Sequence, residues 1–241
     1  MRNKRKKTIG IIGGAGPMAG VLLMQKIITI CQKKYKCIND FDFPKIILLS
    51  YPFAEMLKPL SFQQDEKKVA KQLKEAIDFL STSGMDYITI ACNTLHSFID
   101  KPYRSKLIDL ITETKSFLLK QNLSKVLVLC TKTTKLKGLY NFPKTKLLSP
   151  KDLQWIEELI NKILSGAYSL KDRKSLENFI LLNIKKDPSI DGILLGCTEL
   201  SVLMDNFSRN NPKIKIIDPL EIVSNKLCKL VFTNKKENNY V

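Results

Sequence analysis

"DYITIACNT" (86–94) and "DGILLGCTE" (191–199) follow one plan. Each opens on an aspartate, Asp86 or Asp191, and crosses a short, mostly apolar run. Each then narrows to a small residue and reaches a cysteine six positions on, with a threonine within two positions after it. Apolar runs of this length, bounded by polar and small residues, read as strands buried on both faces, as in parallel sheets. Recurrence of the plan in the two parts of the chain points to two similar α/β halves, each ending a strand in a thiol.

The flanking sequence fits that division. "TIGIIG" (8–13) reads as a strand, and "GAGP" turns it into a helix from about Pro17, whose missing N–H costs nothing at the first helical position. "KIILLSY" (45–51) is a second strand. Val69, Leu73, Ala76, Ile77 and Leu80 recur at helical spacing between 65 and 83. In the later half, "KVLVLC" (125–130) and "DGILLG" (191–196) read as strands, with helices over 153–164 and 175–186 between them. "KIKII" (213–217) and a helix over 219–232 follow. Strands separated by helices indicate βαβ units: an α/β fold of two Rossmann-like subdomains with mainly parallel sheets.

Bulk properties narrow the field. A chain of 241 residues, 44% hydrophobic and 26% charged, has the composition of a soluble globular protein, and no apolar run approaches the roughly 20 residues needed to span a bilayer. The basic start "MRNKRKK" leads into a run too short and glycine-rich for a signal-peptide core, so a cytoplasmic location is expected, without a membrane partner. Six cysteines without a CxxC pair, and one histidine, are read as free thiols and give no metal site. The net charge of +17 includes five positive charges in the first seven residues. The other basic residues fall mostly on polar helix faces, without an aromatic-interleaved motif, so no specific nucleic-acid partner is expected.

Ligands of open parallel sheets bind beyond the carboxyl ends of the strands, where Cys92 and Cys197 fall. Each precedes a segment able to start a helix, whose free N–H groups would lower a thiol pKa and receive a carboxylate. Asn93, Thr94 and Thr198 add neutral donors. Two thiols facing each other across a cleft suit a racemase. One takes the α-proton from one face of a carbon and the other returns a proton to the opposite face, without a cofactor. Donors on the substrate carboxylate would stabilise the developing carbanion.

"IGIIGGAGPMAG", "ACNTLHSF" and "GILLGCTEL" resemble the aspartate/glutamate racemase family of PLP-independent two-cysteine racemases, and its aspartate racemase branch in particular. "LCTKTTKLKGLY" (129–140) is similar to that family's threonine-rich turn. The resemblance implies two subdomains related by a pseudo-twofold, residues 1–100 with 213–241 and residues 101–212, with the site in the cleft between them. It implies Cys92 and Cys197 as the acid/base pair. Asn93, Thr94, Thr131, Thr133, Thr134, Thr198 and Glu199 are implied around the substrate, with Gly14 and Pro17 of the glycine-rich opening. It further implies an amino-acid substrate, no cofactor and a homodimer. Two basic residues of the family pattern are missing. "YPFAEMLKP" (51–59) holds no arginine, leaving Lys58 as a stand-in for holding a side-chain carboxylate, and Leu164 stands where a second basic residue is expected.

Other uses of these residues remain open. Cys31, Cys37 and Cys228 read as small core residues, and Cys130 as a strand end near the cleft. His96 can support the thiol's turn or act as an acid or base. "GGAGP" fits no nucleotide-binding signature, so close backbone approach to the substrate is its better use. Hydantoin racemase, maleate isomerase and an inactive racemase-like binding protein are the alternative functions.

Overall fold

The computed structural model describes residues 6–54, 63–204 and 213–233. Two parallel sheets organise the chain. The first has the order β2-β1-β3, from β1 (Ile9–Gly13), β2 (Ile46–Ser50) and β3 (Tyr87–Ile90). Ile9 pairs with Ile46 on one side and Tyr87 on the other. The second has β4 (Lys125–Cys130), β5 (Thr145–Leu147), β6 (Ile190–Gly196) and β7 (Lys215–Ile217), in the order β5-β4-β6-β7. The two orders correspond strand for strand, β1 with β4, β2 with β5 and β3 with β6, and β7 is the addition. The cysteine-bearing strands β3 and β6 thus occupy equivalent places, as the repeated plan predicts.

The aspartates that open the two repeats do equivalent work. Asp86 accepts the N–H of Thr8 at 2.8 Å, just before β1. Asp191 accepts the N–H groups of Ser124 (2.8 Å) and Lys125 (3.2 Å) at the start of β4. Each carboxylate thereby fastens the amino end of the neighbouring strand, and each cysteine lies at the opposite end of its own strand.

Helices cover the sheets because their apolar residues fall on one face. In α1 (Pro17–Tyr35) the stripe is Ala19, Leu23, Ile27 and Cys31, all fully buried. In α2 (Gln63–Thr82) it is the run from Val69 to Leu80 anticipated from spacing. Two helices lie where the sequence pattern gave none, α3 (Lys101–Arg104) and α4 (Leu110–Leu119), and a short α5 (Lys132–Leu136) follows β4. The later half adds α6 (Pro150–Leu164) and α7 (Leu170–Lys186), capped by Ser149 and Ser169, whose hydroxyls accept the N–H of Asp152 and Asp172. The final helix, α8 (Pro219–Phe232), is capped by Asp218. Among the described residues no helix is long and apolar enough to cross a membrane.

Strand pairing departs from the partition implied by the resemblance at both junctions. Residues 213–217 were grouped there with the first half, yet β7 joins the second sheet, pairing Gly192 with Lys215 and Leu194 with Ile217. Ile217 is buried in the second half's core with Val126 and Leu194. Only α8 returns: Leu220, Val223, Leu227 and Val231 fill the core beneath α1 and β1. At the other junction, residues beyond 100 still belong to the first sheet. Leu107 bridges Ile88, and the N–H of Ile108 donates to the Ile88 carbonyl at 2.8 Å. The chain therefore crosses between the halves after β3's extension and again between β7 and α8.

Candidate active site

At the carboxyl ends of β1, β3, β4 and β6 lies a cleft of about 360 Å³ between the two sheets. Gly14, Cys92, Asn93, Thr94, Thr131, Thr133, Cys197, Thr198 and Glu199, all anticipated from the sequence, line it. The loop after β3 (3-10 turn Thr94–Phe98) and the loop after β6 (3-10 turn Thr198–Val202) bring the two thiols to it from opposite halves. Thr198 Oγ1 donates to the Ala91 carbonyl at 3.4 Å, tying the end of β6's loop to the end of β3.

Glycine is required where the first loop passes. Gly14 and Gly16 have φ of 98° and 81°. A Cβ on Gly14 would meet the Tyr51 carbonyl oxygen at 2.0 Å, and one on Gly16 would meet Glu199 Oε1 at 1.6 Å. The glycine-rich opening is thus shaped by a backbone crossing and by the carboxylate of the second cysteine motif. Pro17 opens α1 as its first residue but is exposed and does not line the cleft.

Cys197 Sγ donates to Glu199 Oε2 at 3.0 Å, and Thr198 Oγ1 lies 3.3 Å from the same oxygen. Glu199 Oε1 is buried without a hydrogen-bond partner. In the other cysteine motif Asn93 is buried, its Oδ1 accepts the Tyr140 hydroxyl, and its Nδ2 has no partner. One unpaired acceptor and one unpaired donor, each costly to bury alone, therefore sit on residues of the same cleft. Thr94, Thr131 and Thr134 form a closed ring of hydroxyls, with oxygen–oxygen distances of 3.0–3.3 Å. Thr134 is fully buried and reaches the cleft only through its two threonine partners.

The thiols do not have the depressed pKa expected from their turns. Burial, followed by the negative charge of Glu199, pushes Cys92 up to about 12. The N–H groups of Leu95 and Thr94 act in the expected direction and are outweighed. Burial, the charge of Glu199 and the hydrogen bond to it hold Cys197 well above its ordinary value. Burial also raises Glu199. Both sulfurs rest as thiols.

His96 is buried and both its ring nitrogens are held by the backbone. Its Nδ1 lies 2.8 Å from the Cys92 carbonyl, and its Nε2 accepts the Leu110 N–H at 3.2 Å. An accepting Nε2 leaves the proton on Nδ1, and burial keeps the ring neutral by lowering its pKa. The ring therefore pins the turn carrying Cys92 to the start of α4. Cys130 is fully buried in the second half's core, and burial raises it to about 12. Cys31 and Cys228 lie 4.0 Å apart between α1 and α8, and they and Cys37 are core thiols. Lys58 lies outside the described residues.

The family model for Asp/Glu/Hydantoin racemase matches residues 12–227. The chain belongs to that family. It is 24% identical over 219 residues to a broad-specificity amino-acid racemase of Bacillus subtilis, covering 86% of this chain and 91% of the relative. It resembles the structure of an aspartate racemase from Picrophilus torridus, with a TM-score of 0.76 and 26% identity over 93% of this chain and 94% of that one. A glutamate racemase from Thermus thermophilus shares the fold, with a TM-score of 0.63 and 15% identity over 98% of this chain and 84% of that one.

Residues that the sequence alone did not bring forward complete the family member's cleft. Phe53 and Ala54, after β2, and Glu157, Ile160 and Asn161 of α6 line it, beside Leu164, which the sequence marks as the replaced basic position. Glu157 and Asn161, polar positions one turn apart beside an apolar stripe, were the available signal. Tyr140 was hidden because only its contact with Asn93, 47 residues away, gives it a role.

Proposed function

We propose that the protein is a cofactor-independent α-amino-acid racemase in which Cys92 and Cys197 are the two proton carriers. The observation that carries this reading is the arrival of both strand-end thiols, one from each half, in a single cleft. Asn93 Nδ2 is the donor for the substrate carboxylate, with the threonine hydroxyls beside it. Glu199 Oε1 is the acceptor for the substrate ammonium. The ammonium offsets the negative charge that helps hold both thiols protonated, so that one sulfur can release its proton to solvent as substrate binds and remain as thiolate. That thiolate takes the α-proton. The carbanion's charge spreads onto the carboxylate held by Asn93, and the other thiol donates its proton to the opposite face. The sulfurs exchange roles when the other enantiomer enters.

The test is solvent exchange in deuterated water with single enantiomers and no added pyridoxal phosphate or metal. The wild-type protein exchanges the α-hydrogen of both hands and racemises. Cys92→Ser and Cys197→Ser each abolish racemisation, and each retains exchange for one enantiomer only, a different one in each variant. Full racemisation by either variant, or exchange of both enantiomers by one, overturns the assignment. A requirement for pyridoxal phosphate overturns the two-thiol mechanism.

A further inference from the structure

Residues outside the two cysteine motifs and the threonine turn also line the cleft. There α6 presents Glu157, Ile160, Asn161 and Leu164, spaced i, i+3, i+4 and i+7 and so on one helix face. Phe53 and Ala54, after β2, line the same cleft. Glu157 is half-buried, and its Oε1 accepts the Lys132 N–H at 2.8 Å, which fixes the carboxylate's position. Among the described residues that line the cleft, the charged groups are Glu157 and Glu199, and there is no lysine or arginine.

An acidic amino acid would bring two carboxylates into this space. Asn93 and the threonines can receive one. The other would lie against apolar side chains or beside Glu157, losing hydration and meeting a like charge. A long basic side chain meets complementary chemistry: methylenes against Ile160, Leu164 and Phe53, and cationic N–H donors at the Glu157 carboxylate and the Asn161 amide.

We propose that this cleft selects a basic amino acid of the lysine, ornithine or arginine type, with Glu157 and Asn161 of α6 receiving the cationic end. The proposal rests on the amino-acid racemase reading of the same cleft.

The experiment is the α-deuteration rate of the full chain with L- and D-ornithine, lysine, arginine, methionine, leucine, aspartate and glutamate, followed by the same panel with Glu157→Gln. Gln keeps an oxygen for the Lys132 N–H and removes the charge. The expected result is a kcat/KM for the basic amino acids at least tenfold above that for the neutral ones, and a still larger margin over the acidic ones. Glu157→Gln, with an unchanged melting temperature, lowers the basic-to-neutral ratio tenfold or more, chiefly through KM for the basic substrates. Leu164→Arg shifts preference towards aspartate and glutamate. Two results overturn the assignment while leaving the racemase intact. One is a wild-type preference for acidic substrates, above all one removed by Lys58→Ala. The other is equal rates on basic and neutral substrates. Absence of exchange with every amino acid instead refutes the racemase reading, and this assignment falls with it.

Discussion

Alkylation of Cys92 as a function of pH distinguishes a thiol at rest from a thiolate at rest. With a pKa of about 12 against an ordinary 9.0, the thiolate fraction at pH 8 is ~0.0001, where an ordinary thiol shows ~0.1. The labelling rate with iodoacetamide should therefore climb about tenfold per pH unit from pH 7 to 10 without levelling. Burial slows access and lowers the absolute rate, but it does not bend this line, so the slope carries the information. Quenched labelling read peptide by peptide by mass spectrometry separates Cys92 from the other thiols. Glu199→Gln removes the second cause of the shift and should raise the rate at pH 8. The same displacement sets the sign of a stability effect. The unfolded chain sheds this proton near 9 while the folded chain keeps it to about 12. The contribution is thus full below pH 9 and falls as pH rises through that window, by roughly 1.4 kcal/mol per unit. A labelling rate that levels at or below pH 9 would refute the reasoning: the turn's N–H groups would then outweigh burial.

Tyr140→Phe keeps the ring and removes the hydroxyl that fixes the Asn93 amide. It should cost about 1–3 kcal/mol in chemical denaturation and lower kcat/KM about 10- to 150-fold, the value of one hydrogen bond to a charged group. Gly16→Ala places a methyl group against Glu199 at a left-handed backbone position. It should lose activity and about 1–2 kcal/mol or more of stability, measured by melting and by turnover. Asp86→Ala unfastens the start of β1 and should destabilise the chain by about 1–3 kcal/mol, while kcat measured below the new melting temperature stays within about twofold.

Strands and thiols were legible in the sequence because parallel-sheet strands are continuous apolar runs and the two motifs repeat. What escaped has physical reasons. Strand β5 is three residues, "TKL", without an apolar pattern, and it exists because β4 offers it an edge. Helix α4 carries Thr112 and Thr114 inside its turns and is held by Asp109 accepting the Thr112 N–H and by packing against α8, a contact between distant segments. Strand β7 follows its pairing with β6, while α8 follows its apolar face, so neighbours in sequence part company. The state of the thiols is not legible in the sequence for a related reason. A turn's N–H groups can be read from sequence, but the depth of burial and the position of Glu199 cannot.

The two sulfurs have unlike neighbours, a carboxylate at Cys197 and an amide beside Cys92. Mirror-image molecules have equal free energies in water, so a racemisation has an equilibrium constant of one whatever the catalyst. The ratio of kcat to KM must then be the same in the two directions. An asymmetric pair of bases cannot drive a surplus of one hand. It can only trade tight binding and slow turnover of one enantiomer against loose binding and fast turnover of the other. The enantiomer whose α-hydrogen faces Cys197 and the one facing Cys92 should therefore saturate the protein at different concentrations while sharing one initial slope of rate against concentration.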